Sequence, residues 1–222
     1  MKRLEIACFN LESALIAAKA GADRIEFCAD YASGGTTPKL EDFLTIKKAA
    51  AIPIYVMIRP RGGDFVYSAD EIAGMKQSIA DFKEAGADGL VFGVLNAEKT
   101  LSDINGELAE FAGSTPCTFH RAFDQSPNLE QSLEQLISWG FKTVLTSGSS
   151  SSAMAGAATL QKLLDQANGR IQILPGGGIR SGNIAELAKL LPADFYHSAG
   201  ITDGSEIADL EEIKVIKSTL AS

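Results

Sequence analysis

The sequence predicts an α/β protein folded as one (β/α)8 (TIM) barrel over residues 1–222, and three observations carry that reading. Short β-rich apolar runs alternate with longer amphipathic stretches eight times, which calls for parallel strands joined by right-handed crossovers. Polar clusters sit where those runs end: Arg59-Pro60-Arg61-Gly62-Gly63-Asp64-Phe65, Phe119-His120-Arg121-Ala122-Phe123-Asp124 and Pro175-Gly176-Gly177-Gly178-Ile179. Their spread over several strand ends fits a barrel with a rim pocket. An open doubly wound sheet, the runner-up, would gather them at one switch point and open its first helix with Gly-x-Gly-x-x-Gly, which is missing here.

The strands are expected at Leu4–Cys8, Arg24–Cys28, Ile54–Arg59, Gly89–Gly93, Cys117–Arg121, Thr143–Ser147, Ile171–Pro175 and Asp194–Ser198. The helices between them are expected at Leu11–Ala20, Leu40–Ala50, Ala69–Ala85, Asp103–Gly113, Asn128–Gly140, Ser152–Ala167, Gly182–Leu191 and Ala208–Leu220. Helical periodicity is clearest in Ile72-Met75-Ile79-Phe82 and in Leu129-Leu133-Leu136-Ile137. Gly21, Gly86 and Gly140 each stand just past a helix end and lead into the next strand, the usual glycine stop. Asp103, Asn128 and Asn183 are the expected N-caps.

Composition is that of an ordinary globular protein, 45% hydrophobic and 22% charged. A net charge of −8 and a pI near 4.8 argue against nucleic acid, whose phosphates require a basic face. No apolar run reaches bilayer length. The start Met1-Lys2-Arg3 is basic, but Glu5, Asn10 and Glu12 interrupt any signal-like apolar stretch, so a cytoplasmic location is expected. Three widely spaced cysteines, Cys8, Cys28 and Cys117, point to reduced thiols rather than a disulfide framework.

Alternation along a strand assigns faces. Arg24, Glu26 and Cys28 share one parity, and Glu26 and Cys28 should point into the barrel. Glu5 and Ala7 should point in and Cys8 out; Arg59 should point in with Met57, and His120 with Thr118. Glu5, Glu26, Arg59 and His120 at one barrel mouth need partners, and together they favour a ligand site over a structural network. Glu26, His120 and Asp124 are the candidate catalytic set, Asp124 orienting the imidazole. Glu5, Arg59, Arg61, Asp64 and Arg121 are candidate anion- or substrate-binding residues. So are Gly176, Gly177, Gly178 and Ser198, which fall where barrels often hold a phosphate, with Arg180 in reach. His197 is a weaker candidate, because only one of His197 and Ser198 can face inward. Asp23, Asp88 and Asp194 precede strands and read as turn and stability residues; Trp139, at a helix end, reads as packing.

Several stretches resemble the CutC family of copper homeostasis proteins. They include Gly21-Ala22-Asp23-Arg24-Ile25-Glu26-Phe27-Cys28, Gly34-Gly35-Thr36-Thr37-Pro38, Val56-Met57-Ile58-Arg59-Pro60-Arg61-Gly62-Gly63-Asp64-Phe65, Tyr67-Ser68, Thr118-Phe119-His120-Arg121-Ala122-Phe123-Asp124, Val144-Leu145-Thr146-Ser147-Gly148 and Gly176-Gly177-Gly178-Ile179. The resemblance implies a cytosolic α/β barrel, dimeric or larger, with Cu(I) as its ligand. It implies thiolate ligands near the ends of the first two strands. Cys28 matches the second; at the first, Ala7 stands where the thiol would be and Cys8 follows one residue later, on the other face. Two functions are therefore expected from the sequence. One is copper handling through Cys28 with help from Cys8 or His120. The other is an enzyme acting by acid–base chemistry on a small anionic or phosphorylated metabolite.

Overall fold

The structure, a computed structural model, describes residues 2–221. Strands and helices alternate throughout: β1 (Arg3–Cys8), α1 (Leu11–Lys19), β2 (Arg24–Phe27), α2 (Leu40–Ala49), β3 (Ile54–Met57), α3 (Ala69–Glu84), β4 (Gly89–Phe92), α4 (Ile104–Ala112), β5 (Cys117–Phe119), α5 (Leu129–Ser138), β6 (Thr143–Thr146), α6 (Ala157–Ala167), β7 (Gln172–Pro175), α7 (Ser181–Leu190), β8 (Phe195–Ser198) and α8 (Leu210–Ala221). Short 3-10 turns at Tyr31–Ser33 and Arg121–Gln125 follow β2 and β5. Strands β1 to β7 pair in parallel with their neighbours in chain order, and β1 also pairs with β8. A bridge between Gly176 and His197 brings β8 against β7 and completes the ring.

Local chemistry explains the boundaries. Asn10 caps α1 by accepting from the Ser13 N–H at 2.8 Å, Ser68 and Glu71 form a capping box on α3, and Asn128 caps α5 as expected. Asp103 holds the cap position of α4 without a side-chain bond. Asn183 instead lies inside α7 and reaches back to the Arg180 N–H at 2.9 Å. The expected helix from Ser152 begins only at Ala157, because the preceding serines are spent on turns: Ser147 Oγ donates to Ser150 O, and Ser152 Oγ accepts from the Ala155 N–H.

Alternation sorts the strand side chains into two layers. Leu4, Ile6, Cys8, Ile25, Phe27, Val56, Phe92, Val144, Ile173 and Tyr196 pack outward, in the core between barrel and helices. Inside lie two small apolar groups, Leu145 with Leu174 and Phe195, and Cys28 with Met57 and Val91. The remaining interior is ionic and aromatic. The Arg24 guanidinium lies between the rings of Tyr55 and Phe195, 4.3 Å from each centroid, and Arg3 sits 4.2 Å from the Phe195 ring. This stack fills the lower part of the barrel. At the same end Asp23 accepts from the Leu4 N–H and Asp88 from the Ile54 N–H and Lys47, stabilising roles that match their position before strands.

Tyr55 can lie across the barrel only because β4 begins with glycine. A Cβ on Gly89 would stand 2.5 Å from the Tyr55 ring. Gly89→Ala should therefore displace the ring from Arg24 and cost about 1–3 kcal/mol, the scale of overpacking a filled interior. Urea unfolding measures it; an unchanged midpoint would mean the ring has room to move.

Candidate functional site

The pairing register builds the centre of the site. Glu5 on β1 stands opposite Arg24 on β2 and opposite His197 on β8. Its carboxylate is consequently bonded on both sides, one oxygen accepting from Arg24 Nε and the other lying 2.7 Å from His197 Nδ1. His197 Nε2 lies 3.9 Å from a carboxylate oxygen of Glu26, and the Cys28 thiol is 3.7 Å from that same oxygen. The other Glu26 oxygen, Oε1, is buried and has no hydrogen-bond partner among the described residues.

The charges follow from this arrangement. Burial pushes the Glu5 carboxyl up, but Arg24 and His197 outweigh it and hold the group below the ordinary carboxylate range. Glu26 lacks a comparable contact, so burial dominates and raises it to about 7, against the pull of His197. Burial alone would lower His197, yet the Glu26 and Glu5 carboxylates reverse that and raise it. Cys28 is pushed well up by burial and by the charge of Glu26, which favours the thiol over the thiolate.

Above this cluster Arg121 reaches toward the rim. It pairs with Asp124, donates to Ser147 Oγ at 2.9 Å, and is close enough to His197 for its charge to oppose protonation there. Its side chain is 41% exposed against 12% for His197, so these two are the site's outlets to solvent. A Cβ on Gly177 would stand 2.9 Å from Arg121 Nη1. Gly177 and Gly178 have φ of 105° and 69°, a left-handed pair that side chains avoid. Their carbonyls accept from the Ala153 N–H and the Asn183 side chain. Neither N–H meets an acceptor among the described residues, which leaves two unengaged amides, that of Gly177 beside an arginine.

Other expected residues sit differently. Arg59 points inward, but Nη1 donates to the carbonyls of Ser33 and Gly35 at 2.8 Å and Nη2 to that of Gly63 at 3.2 Å. These bonds tie two loops together, while Nε is buried and has no partner among the described residues. Arg61 is likewise spent on Asp64, Glu71 and the Val66 carbonyl. Asp124 does not orient His120. The turn at Arg121–Gln125 carries it to β6, where it accepts from Thr146 Oγ1 and the Ser147 and Ser149 N–H groups. Ser198 is buried facing away from His197 and donates to the Ile179 carbonyl. His120 faces in, and burial with the nearby Arg59 charge holds it down to about 3, so it is neutral at neutral pH rather than a base.

Arg24 is the residue that the sequence did not mark as part of the site, and His197 is one it ranked low. Arg24 carried the right parity. His197 did not stand out because both parities of Phe195-Tyr196-His197-Ser198 offer a polar residue.

Two metal arrangements can be judged from the donors. Glu5, Glu26 and His197 place ligand atoms within 4.8 Å of one another, a hard set whose Glu5 oxygens are already bonded. For Cu(I), which prefers thiolates, the lumen offers Cys28 alone. Cys8 is packed in the outer core, its thiol 3.5 Å from the Ile6 carbonyl; Cys117 lies at the far end of β5. The donors present therefore do not form a two-thiolate copper site. A surface cavity of about 550 Å³ bordered by Lys2, Ala185, Lys189 and Leu220 lies elsewhere and gathers no comparable chemistry.

Fold and site together define a (β/α)8 barrel that holds a buried cluster of two carboxylates, an arginine and a histidine. The chain belongs to the CutC family, whose model matches residues 2–202. It is 43% identical over 195 residues to the human copper homeostasis protein cutC homolog, covering 87% of this chain and 71% of that protein. It is 38% identical to the Caenorhabditis elegans copper homeostasis protein cutC homolog, covering 99% and 95%. A crystal structure of CutC from Streptococcus agalactiae superposes with a TM-score of 0.86 at 31% identity, covering 91% of this chain and 100% of that one. Phosphoribosylanthranilate isomerase of Thermotoga maritima shares the fold, with a TM-score of 0.64 at 14% identity over 100% of this chain and 99% of that one. Among the described residues no helix is long and apolar enough to cross a membrane.

Proposed function

We propose that this protein is an enzyme that transfers a proton on a small anionic, phosphorylated metabolite held at the barrel mouth. The observation that carries this reading is the Glu26 carboxyl. It is buried, has an oxygen without a partner, and is poised near neutrality at about 7, where an acid both gives and takes a proton. His197, between Glu26 and Glu5, connects that carboxyl to the rim, and the Arg121 guanidinium and the Gly177–Gly178 amides supply the anion's counterpart. Small size is required, because Arg59 ties the loops after β2 and β3 over the lumen.

A thermal-shift panel of small phosphorylated and carboxylate metabolites tests this. A ligand that binds only the native state raises its melting temperature, so at least one anion should stabilise the wild type and not Arg121→Met. A wild type that responds no more than Arg121→Met would remove the reading.

The relatives' name supports a second reading, in which Cu(I) is cargo taken up at Cys28, the cysteine that faces the barrel interior. Cu(I) uptake against a competing chelator under reducing conditions, lost in Cys28→Ser, is its expected result. No uptake by the wild type discards it. Both readings assume a cytoplasmic protein, supported by three free, buried cysteines, and assembly as a homodimer or larger, which light scattering checks.

A further inference from the structure

Resting on the acid–base reading, we propose that the reaction is proton transfer at a carbon adjacent to a carbonyl. In it Glu26 takes the proton and the Nε2–H of His120 holds the carbonyl oxygen as it becomes an enolate. The substrate class is then an enolisable aldehyde or ketone with an anionic tail.

The tautomer of His120 comes first. Its Nδ1 accepts the Ala122 N–H at 3.3 Å, so in the neutral ring the proton sits on Nε2. That Nε2 is buried and has no partner among the described residues. A buried donor without an acceptor is uncommon in a folded protein and invites a ligand. Thr118 Oγ1, two residues earlier on the same face of β5, is buried and unpartnered as well.

The ring is also fixed in place. The Phe65 ring lies 4.8 Å away and the Phe119 ring 5.9 Å, centroid to centroid. A Cβ on Gly93 would come within 2.7 Å of the imidazole, so β4 is cut back where the ring lies. Arg59, stapled to three backbone carbonyls, adds a fixed positive charge near His120. A rigid neutral donor of this kind stabilises negative charge developing on oxygen without surrendering its own proton.

Glu26 Oε1 on β2 is thus a buried acceptor and His120 Nε2 on β5 a buried donor, each without a partner among the described residues. The step balances without a co-reactant. The C–H bond breaks and its proton bonds to Glu26; the electron pair forms a carbon–carbon double bond, and the carbonyl π pair moves to oxygen. Returning the proton to the same carbon gives exchange with solvent. Where that carbon also bears a hydroxyl, the hydroxyl proton passes to the enolate oxygen, Glu26 returns its proton to the former carbonyl carbon, and the new carbonyl completes an isomerisation.

The chain has two histidines, so selective ¹⁵N labelling distinguishes His120 from His197. The probe is 2-phosphoglycolate, whose carboxylate mimics the enolate and whose phosphate occupies the anion end; inorganic phosphate is the control. The expected result is a neutral Nε2–H ring on His120 whose proton resonance shifts with 2-phosphoglycolate and not with phosphate. His120→Phe should weaken 2-phosphoglycolate by about tenfold or more, the scale of a hydrogen bond to a charged group, while sparing phosphate. His120→Gln, which keeps an N–H donor, should restore part of that loss.

Binding of 2-phosphoglycolate with no response from His120 would overturn this assignment and leave the anion site standing. Failure of both 2-phosphoglycolate and phosphate to bind the wild type would overturn the acid–base reading and this one together.

Discussion

Arg24→Met is expected to destabilise the protein by about 3–5 kcal/mol, the usual cost of removing one member of a buried ion pair. The loss has two sources. Glu5 keeps its place in the barrel wall with one oxygen deprived of its guanidinium. The Tyr55 and Phe195 rings lose the cation held between them, each contact being worth roughly 0.5–2 kcal/mol. For a chain of this size the melting temperature should fall by roughly ten degrees. Arg24→Lys should recover only part, since an ammonium has no flat face to stack and no fork to match a carboxylate. The double variant Glu5→Met/Arg24→Met should be milder than Arg24→Met, because exchanging both charges for apolar groups leaves none stranded. Urea unfolding of the three variants decides the matter. A loss below about 1 kcal/mol in Arg24→Met would mean that Glu5 is satisfied by His197 alone.

The second large effect concerns pH. His120 has its folded value depressed from 6.5 to about 3. Its contribution to stability is present above the unfolded value and lost as the pH falls toward 3, because the unfolded chain binds the proton first. The full span corresponds to roughly 5 kcal/mol. Glu26 works in the opposite sense. Its folded value is raised from 4.5 to about 7, so its stabilisation is complete below 4.5 and disappears as the pH rises through 7. In the wild type the two partly cancel between those limits, and single variants separate them. Relative to wild type, His120→Phe should gain on acidification by about 3 kcal/mol from roughly pH 7 to pH 4, and Glu26→Gln should gain on going the other way. Urea midpoints measured across that range provide the check. Parallel pH profiles for wild type and His120→Phe would show that the imidazole reaches water in the native state.

The architecture was legible because the signals that specify it are local. Eight alternations, glycine stops such as Gly21 and Gly140, and strand parity together gave the barrel and the facing of Glu5, Glu26, Cys28, Met57, Arg59, Thr118 and His120. They also put Cys8 on the outer face, where it packs. The partnerships were harder to read, since they depend on register and on loops. Nothing in Arg59-Pro60-Arg61-Gly62-Gly63 announces that Arg59 will be taken by the carbonyls of Ser33, Gly35 and Gly63. Asp124, adjacent in sequence to a histidine-bearing strand, is drawn to β6 by three N–H and O–H donors. His197 could have been found from strand order. The last strand of a closed barrel lies beside the first, which places a residue of β8 against inward-facing Glu5.

The stacked Arg3, Phe195, Arg24 and Tyr55 make the barrel a blind shaft. Whatever enters must leave by the door it came in, and a bulky product would block the next arrival. In the enzyme proposed above, turnover would then be governed by how often the two loops tied by Arg59 part. Loosening that pin, rather than enlarging the floor, is the way to admit longer molecules.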